Sequence, residues 1–390
     1  MMFVLYSAIT TAIAAPAFFD QGFVLKAPES GAFAGGVNAP TVDIENATNT
    51  YVMYFESSVS AVSTDCVSSY VIGRATSRDG LAWTLDDAPV LSPDPTSDAS
   101  RCSVSQPAVV FDGTKWHLFY STAREKPSSG AGYNLPTGIA YATSTDGQNF
   151  TVQAAPLIPT TDLSETVGLS SATIVNGQIY VVYFYNNDFR LATAPLSDPS
   201  VWATSTGAVV DHLALEWAAN DVISPALFCE DDMDDPLSLV FAGDSAGERR
   251  LAFATSTDGN AWTMDEQTPL TGGDLTYSEL NHWDVIEAGP DYLMWYGKTD
   301  VATGLKAIGL AATASPWSPA QPRLCPHAYQ TDPPDTGDTG DKSSDDSGNT
   351  GDYTGGKTTG PCGCASAGDG AAGSLVGLAM MVLSRRRSKA

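Results

Sequence analysis

Basic residues are scarce in this sequence. Lys and Arg number 19 against 45 Asp and Glu, which gives a formal net charge of −26 at pH 7. Proteins that bind nucleic acids or anionic membrane surfaces neutralise phosphates with Lys and Arg. The composition therefore disfavours both partners and leaves a membrane contact only through the C-terminal tail described below. The acidic charge is typical of a soluble extracellular protein.

Histidine and cysteine are also few, at 4 and 6 of 390 residues. The sequence has no CxxC pair and no His cluster, so nothing in it indicates a zinc site. Disulfides are expected if the chain is exported, and the four cysteines in its body allow three pairings. We favour the pairs Cys66–Cys102 and Cys229–Cys325, with free buried thiols as the alternative.

A short apolar segment stands at each end of the chain. At the start, residues 1–17 read MMFVLYSAITTAIAAPA and resemble a secretory signal, with cleavage expected after one of the residues 14–17. The segment lacks the usual positive charge near its beginning. The alternative interpretation is a buried N-terminal strand.

At the other end, residues 371–383 form an apolar run shorter than the roughly 20 residues of a membrane-spanning helix. A basic cluster that begins at Arg385 follows at once, as on the cytoplasmic side of a stop-transfer segment. Residues 362–390 thereby resemble the myxobacterial C-terminal sorting signal. This resemblance implies display on the outer cell surface, with Cys362 or Cys364 as the processing or attachment point. An ordinary C-terminal membrane anchor is the alternative.

The segment before this tail, residues 332–361, reads DPPDTGDTGDKSSDDSGNTGDYTGGKTTGP. It contains almost no apolar side chains and cannot bury enough surface to offset its ordering entropy. We therefore predict a disordered, self-repelling acidic linker. Its Asp residues recur at every third position, which is not the ligand spacing of a calcium loop.

One phrase recurs through the body of the chain, closed each time by an aromatic residue. The three clear copies are IGRATSRDGLAW, GIAYATSTDGQNF and LAFATSTDGNAW, and two looser copies are LATAPLSDPSVW and IGLAATASPW. Each copy follows two β-rich stretches, such as SQPAVV and WHLFYST in the second repeat, and precedes a weaker third stretch. Each repeat therefore supplies four short strands.

Five repeats of four strands predict an all-β fold, a five-bladed β-propeller with four-stranded antiparallel blades, over residues 18–331. Residues 22–28 are expected to lie beside blade five and close the ring, which removes exposed sheet edges. In the recurring DG turn, Gly takes a positive φ and Asp accepts backbone N–H groups. The Asp residues of these turns are therefore expected to be structural.

The repeated signature P-x-V … Y … G-x-A-T-S-x-D-G-x-x-W resembles that of the five-bladed superfamily of arabinanases, β-xylosidases, fructosidases and mannoside phosphorylases. The resemblance extends over all five repeats and implies a propeller fold and activity on carbohydrate. Sialidases are a weaker match, because their Asp-box has one more residue between Asp and Gly and their propellers have six blades.

Alignment of the five innermost strands places one polar side chain of each strand near the ring axis: Asn38, Gln106, Ser170, Ser224 and His282. Propellers bind ligands at one mouth of this axis, so these five are candidate binding residues. The alternative is that they only solvate the channel.

Glycosidases of the resembled superfamily place two Asp and one Glu on the inner strands of blades one to three. The matching segments VNAPTV, SQPAVV and LSSATI have no acid at those places, which puts this triad in doubt. The candidate catalytic acids or bases are instead Glu216, Asp221 and Glu279, near the inner strands of blades four and five. Each of them is alternatively a solvated or hydrogen-bonded loop residue.

Other side chains near these acids fit a sugar site. Trp217 and Trp283 offer aromatic faces on which a sugar ring can stack. Asp98 and Asp284 are further acids close to inner strands, and Arg101 is a candidate contact for an anionic group.

Calcium is the cofactor that the resemblance suggests, because several superfamily members hold it with a blade-five His near the axis. His282 is at that place, and a hydrogen-bonded core His is the alternative. The run CEDDMDDP at 229–236 also offers oxygen ligands, or is a solvated acidic loop. No metal site is assigned.

The sequence predicts a secreted propeller, held at the outer cell surface by its tail, that acts on or binds extracellular carbohydrate. A glycoside hydrolase, a glycan-binding protein without catalysis and a surface scaffold with a merely solvated channel all fit this prediction.

Overall fold

The structure, a computed structural model, describes residues 17–45, 47–66, 68–123, 138–160, 165–229, 237–245, 248–264, 280–288 and 291–313. The chain divides into two compact units, Met1–Pro334 and Asp335–Ala390, of which the second lies outside the described residues. The predicted linker and tail, and all but the last residue of the predicted signal, also lie outside them. In the described ranges no helix is long and apolar enough to cross a membrane.

The described residues form five antiparallel sheets, four of them built from strands that are consecutive in the chain and the fifth from the first strand together with the last three. The chain begins with β1 (Phe19–Leu25). The strands of blade one are β2 (Asn38–Glu45), β3 (Thr50–Val59), β4 (Ser69–Ser77) and β5 (Trp83–Leu85). Those of blade two are β6 (Ser103–Phe111), β7 (Trp116–Ala123), β8 (Gly138–Ser144), β9 (Thr151–Val152) and β10 (Ile158–Pro159).

Blades three to five continue the same order. The strands of blade three are β11 (Val167–Val175), β12 (Gln178–Tyr185), β13 (Asp188–Pro195) and β14 (Ala203–Thr204). Two single-turn 3-10 helices, His212–Ala214 and Glu216–Ala218, lead to blade four. The strands of blade four are β15 (Asp221–Cys229), β16 (Leu237–Ser245), β17 (Glu248–Ser256) and β18 (Thr263–Met264), and those of blade five are β19 (Asn281–Ala288), β20 (Asp291–Thr299) and β21 (Lys306–Ala312).

Strand β1 completes blade five. It pairs antiparallel with β21, with Phe19 opposite Ala312 and Phe23 opposite Gly309. The predicted five-bladed propeller and its closure by the N-terminal segment are both confirmed. Blade two differs from the prediction by a fifth strand, because β8 pairs with both β9 and β10.

The first strands of the blades, β2, β6, β11, β15 and β19, lie next to one another around the axis. Side chains on these strands accept backbone N–H groups of the following blade. Three such contacts are Thr41 Oγ1 with Val109 N at 3.1 Å, Ser171 Oγ with Leu227 N at 2.8 Å, and Asp284 Oδ2 with Val42 N at 2.7 Å. Asp284 was predicted as an acid near the sugar site, and its contacts give it this structural role.

The recurring DG turns are structural, as predicted. In the first copy Asp79 Oδ1 accepts the N–H groups of Leu81 and Ala82 at 2.9 and 2.8 Å, which lowers the pKa of its carboxyl. Gly80 has φ +71°, a conformation that suits glycine. The turns also join blades, since Tyr54 Oη of blade one donates to the Gly147 carbonyl of the blade-two turn at 2.8 Å.

One disulfide joins blades one and two. Cys66, in the loop between β3 and β4, is bonded to Cys102, just before β6, with 5.5 Å between their Cα atoms. This pair was predicted. Cys229 is disulfide-bonded as well, and its predicted partner Cys325 lies outside the described residues.

Two carboxyls, the partly buried Asp43 and the buried Asp284, face the half of the channel in which the inner strands end. Asp43 Oδ2 accepts the Phe111 N–H at 2.6 Å, and Asp284 lies on the neighbouring strand. Together they line a cavity of about 90 Å³. Burial raises the pKa of Asp43 to about 7 and that of Asp284 to about 6.

These raised pKa values predict that the protein loses stability as the pH rises from about 4 to above 7, and that part of this loss falls between pH 6 and pH 8. A carboxyl whose pKa is higher in the folded state stabilises the fold below its unfolded pKa, and this contribution disappears as the pH passes the folded value. For Asp43 and Asp284 the loss between pH 6 and pH 8 is about 1–2 kcal/mol of unfolding free energy. Urea denaturation at several pH values measures it.

The variant Asp43→Asn carries no titrating group at this position and should flatten most of the decrease. Asp87→Asn changes an exposed carboxyl and should leave it intact. A pH dependence that is the same in wild type and Asp43→Asn would contradict the assignment.

Candidate functional site

Every inner strand has a β-bulge near its beginning. The strand register shifts there in all five blades. One non-glycine residue per bulge has a positive φ: Ala39 at 48°, Gln106 at 49°, Leu169 at 49°, Ser224 at 52° and His282 at 36°. We call these five residues the bulge ring. Such backbone conformations cost energy and are concentrated at functional sites.

The bulge ring corrects the predicted polar ring at two positions. Ala39 and Leu169 occupy the places that the sequence alignment gave to Asn38 and Ser170, which are their chain neighbours. Gln106, Ser224 and His282 are where the alignment placed them. The error arises because a bulge adds one residue to a strand, and nothing in Ala or Leu indicates a positive φ.

The bulge ring narrows the channel. Its members and the residues after them surround a cavity of about 20 Å³. This is about the space of one water molecule, far less than a sugar ring requires. The bulge ring opens on the face of the propeller where the inner strands begin, which we call the N-terminal face.

Glu56 places a buried carboxylate on this face. It comes from the end of β3, opposite Asn38 on β2, and is 7% exposed. Its Oε1 accepts the Asn38 Nδ2 at 2.9 Å, and its Oε2 accepts the Gln106 backbone N–H at 3.0 Å. Burial raises the pKa of the Glu56 carboxyl. The sequence did not predict this residue as part of the site because Glu56 lies on the second strand of its blade, although it is the one acid in the apolar run YVMYFES.

Gln106 extends this network to blade three. Its side-chain Oε1 accepts the Ser121 Oγ at 2.8 Å, and the Leu169 N–H lies 3.0 Å from the same Ser121 Oγ. Because Glu56 holds the backbone of Gln106 and Ser121 holds its side chain, the bulges of blades one to three form one connected polar unit.

His282 lies on the opposite side of the opening. Its Nδ1 is 3.4 Å from the Ser224 Oγ of blade four. Burial and the nearby positive charges of Arg249 and Lys306 lower the pKa of His282 to about 4, so its imidazole is neutral at pH 7.

The residues suggested for a metal ion are only partly described by the structure. Among the described residues, three metal-ligating side chains lie close together, those of Asp188, Asp211 and His212. This group does not include His282. The His212 Nδ1 lies 2.6 Å from Asp188 Oδ1, which is a hydrogen-bond distance. Of the acidic run 229–236, all but Cys229 lies outside the described residues.

Several buried polar atoms near the opening have no hydrogen-bond partner among the described residues. They are Asn38 Oδ1, Ser170 Oγ, Asp221 Oδ1, Arg249 Nε and Trp283 Nε1. Buried polar atoms in folded proteins are nearly always hydrogen-bonded to protein or water. Water or a bound molecule can complete the hydrogen bonds of these five atoms.

The three predicted catalytic acids differ in their surroundings. Glu216 is exposed on a 3-10 turn. Asp221 begins β15, and burial together with nearby Asp244 raises the pKa of its carboxyl. Glu279 lies outside the described residues. Of the acids proposed from the sequence, Asp221 is the one that the structure places at the N-terminal face with an altered pKa.

The two predicted aromatic faces are largely occupied by protein. Trp283 is 3% exposed and packs in the core between blades four and five. Trp217 packs against Phe241, with ring centroids 5.9 Å apart. Stacking of a sugar on Trp283 is therefore ruled out by its burial. Asp98 and Arg101 form an exposed ion pair with each other at 3.1 Å.

Comparison with known proteins supports the fold. No family model matches the chain. The 1,2-β-oligomannan phosphorylase of Thermoanaerobacter sp. (strain X514) is 28% identical over 135 residues, 33% of this chain and 45% of that protein. The β-1,2-mannobiose phosphorylase of the same organism is 30% identical over 108 residues, 25% of this chain and 35% of that protein. The chain thus matches less than half the length of these curated relatives.

Among solved structures, the β-1,2-mannobiose phosphorylase from Listeria innocua in complex with β-1,2-mannobiose aligns with a TM-score of 0.55 and 15% identity, covering 76% of this chain and 96% of that one. A GH62 hydrolase in complex with xylotriose aligns with a TM-score of 0.54 and 12% identity, covering 76% and 97%. At such identities the similarity shows the fold alone. The chain is a five-bladed β-propeller with a connected polar unit at one mouth of its axis.

Proposed function

We propose that this protein binds extracellular carbohydrate across the N-terminal face of its propeller. The observation that carries the proposal is the buried Glu56 carboxylate between Asn38 and Gln106, in a ring of positive-φ bulges. Carboxylates and amides are the side chains that hydrogen-bond sugar hydroxyls, because they offer both acceptors and donors at fixed positions. The neighbouring atoms without protein partners supply further places for such hydroxyls.

The names of similar proteins support a carbohydrate ligand. The phosphorylases and the GH62 hydrolase named above have sugars in their names or in their complexes. The predicted signal, acidic linker and tail extend the proposal to a protein that is secreted and held at the outer cell surface.

Catalysis is the second candidate function. The bulge positions of blades one to three are Ala39, Gln106 and Leu169, none of which is an acid. Glycosidases use two carboxyl groups about 5–10 Å apart, and here Glu56 and Asp221 would have to serve. Their raised pKa values suit a general acid. The lack of an acid at these three inner-strand positions favours binding without turnover.

Binding of the full chain to a glycan array, followed by assay of the bound glycans for reducing-sugar release, tests the proposal. We expect retention of at least one oligosaccharide, without hydrolysis, and loss of retention in Asn38→Ala. The control Asn260→Ala changes an exposed turn on the opposite face and should bind normally. Failure of wild type to retain any glycan would refute the proposal, and hydrolysis lost in Glu56→Gln would establish the catalytic alternative.

A further inference from the structure

Two cationic side chains flank the beginning of β19 on the N-terminal face. Arg249, on β17, donates from Nη1 to the Leu280 carbonyl at 2.7 Å, immediately before β19. Lys306 is the first residue of β21, and its carbonyl accepts the Val37 N–H at 3.0 Å, immediately before β2. The two side chains therefore belong to the same edge of the opening, on either side of His282.

Neither cation forms an ion pair in the described part of the chain. Lys26, Arg74 and Arg101 each lie within 3.1 Å of a carboxylate, whereas Arg249 and Lys306 have no such contact within 4.0 Å. Both are partly buried, and the Arg249 Nε is buried without a hydrogen-bond partner among the described residues. Partly desolvated charges are costly unless an opposite charge is close. In a chain with 45 acidic and 19 basic residues, two cations at one edge with no carboxylate within 4.0 Å among the described residues form a place at which an anion can bind.

The titratable groups that the structure describes around Arg249 and Lys306 leave both cations without an ion-pair partner. His282 is neutral at pH 7, since burial and these two cations lower its pKa. Glu56 lowers the local potential on the far side of Lys306, and its electrostatic effect on Lys306 opposes that of burial. The positive charge of Arg249 acts on the carboxyl of Asp221, where it opposes the effect of burial on the pKa. Both carboxylates remain farther than an ion-pair distance from the two cations.

Building on the proposed function, we propose that the glycan carries a carboxylate, as uronic acids do, and that this carboxylate binds between Arg249 and Lys306. The planar guanidinium of Arg offers paired N–H donors that match a carboxylate, and the Lys ammonium supplies a point charge. The partly buried His282 imidazole, on the bulge of blade five, would contact the sugar beside its acid group.

Titration calorimetry with the trimers of galacturonate, mannuronate and glucuronate and with their methyl esters tests this inference. Methyl esterification removes the negative charge and adds one methyl group, while the sugar ring and its hydroxyls stay unchanged. We expect at least one acidic trimer to bind roughly tenfold or more tightly than its ester, as charge-assisted contacts predict. In the variants Lys306→Met and Arg249→Met, the acidic trimer should bind no more tightly than its ester. The thermal transition of each variant checks that it is folded. Lys115→Met, an exposed lysine of the opposite face, is the matched control.

The outcomes separate this inference from the proposed function. Glycans that bind on the array with no acidic trimer preferred over its ester overturn the inference and leave carbohydrate binding intact. Failure to bind any glycan overturns both. If Arg249→Met does not fold, Lys306→Met alone decides. A third outcome is that inorganic phosphate competes with neutral sugars for the protein, while acidic trimers bind no more tightly than their esters. That result would assign the two cations to free phosphate and refute the uronate site.

Discussion

Replacement of Glu56 by Ala is expected to abolish glycan binding and to lower the free energy of unfolding by about 2–4 kcal/mol. The carboxylate accepts two hydrogen bonds, from Asn38 Nδ2 and from the Gln106 backbone N–H. Alanine would leave both buried donors unsatisfied, and each such loss costs about 1–3 kcal/mol. Urea denaturation measures the stability, and calorimetry with an oligosaccharide found on the array measures the binding.

Two further variants isolate the role of the carboxylate. Glu56→Gln retains one acceptor for Asn38 but turns an amide N–H toward the Gln106 N–H, so an intermediate loss of stability is expected. Glu29→Ala removes an exposed carboxyl and should change neither quantity. If Glu56→Ala bound the oligosaccharide as wild type does, the N-terminal face would not be the binding site.

Removal of the Cys66–Cys102 disulfide is expected to lower the free energy of unfolding by about 3 kcal/mol. The bond closes a loop with a sequence separation of 36 residues, and in the chain-entropy account loops of this size give about 3–4 kcal/mol. The double variant Cys66→Ser, Cys102→Ser should therefore unfold at a clearly lower urea concentration under non-reducing conditions.

The same loop supplies a control for this measurement. Thr64→Ser changes an exposed residue of the loop and should leave the urea midpoint unchanged. Equal midpoints for wild type and the double cysteine variant would show that the bond contributes little beyond the packing of Cys66 and Cys102 against Ala123.

The fold was predictable because the three clear copies of the repeat contain a recognisable DG turn. Asp79 and Gly80 are residues whose turn chemistry is visible in the sequence, and the aromatic residue that follows marks the blade end. Closure by β1 was predictable for a related reason, since an unpaired edge on blade five would be exposed to water and to other chains.

The site was only partly predictable. Gln106, Ser224 and His282 stand where an alignment of polar residues puts them, but Ala39 and Leu169 take left-handed backbone conformations that their residue types do not favour. Glu56 reaches the opening from a second strand, and that reach depends on how blade one packs against blade two. Such contacts arise from tertiary structure, which local sequence patterns do not encode.

Closure of the ring by β1 also has a consequence for biogenesis. Among the described strands, the one that is synthesised first hydrogen-bonds to β21, which is synthesised last. During synthesis β1 must therefore stay available for pairing until β21 has been made. A chain interrupted before β21 would expose unpaired backbone N–H and C=O groups on β1 and on β20. We therefore expect such incomplete chains to aggregate or to be degraded.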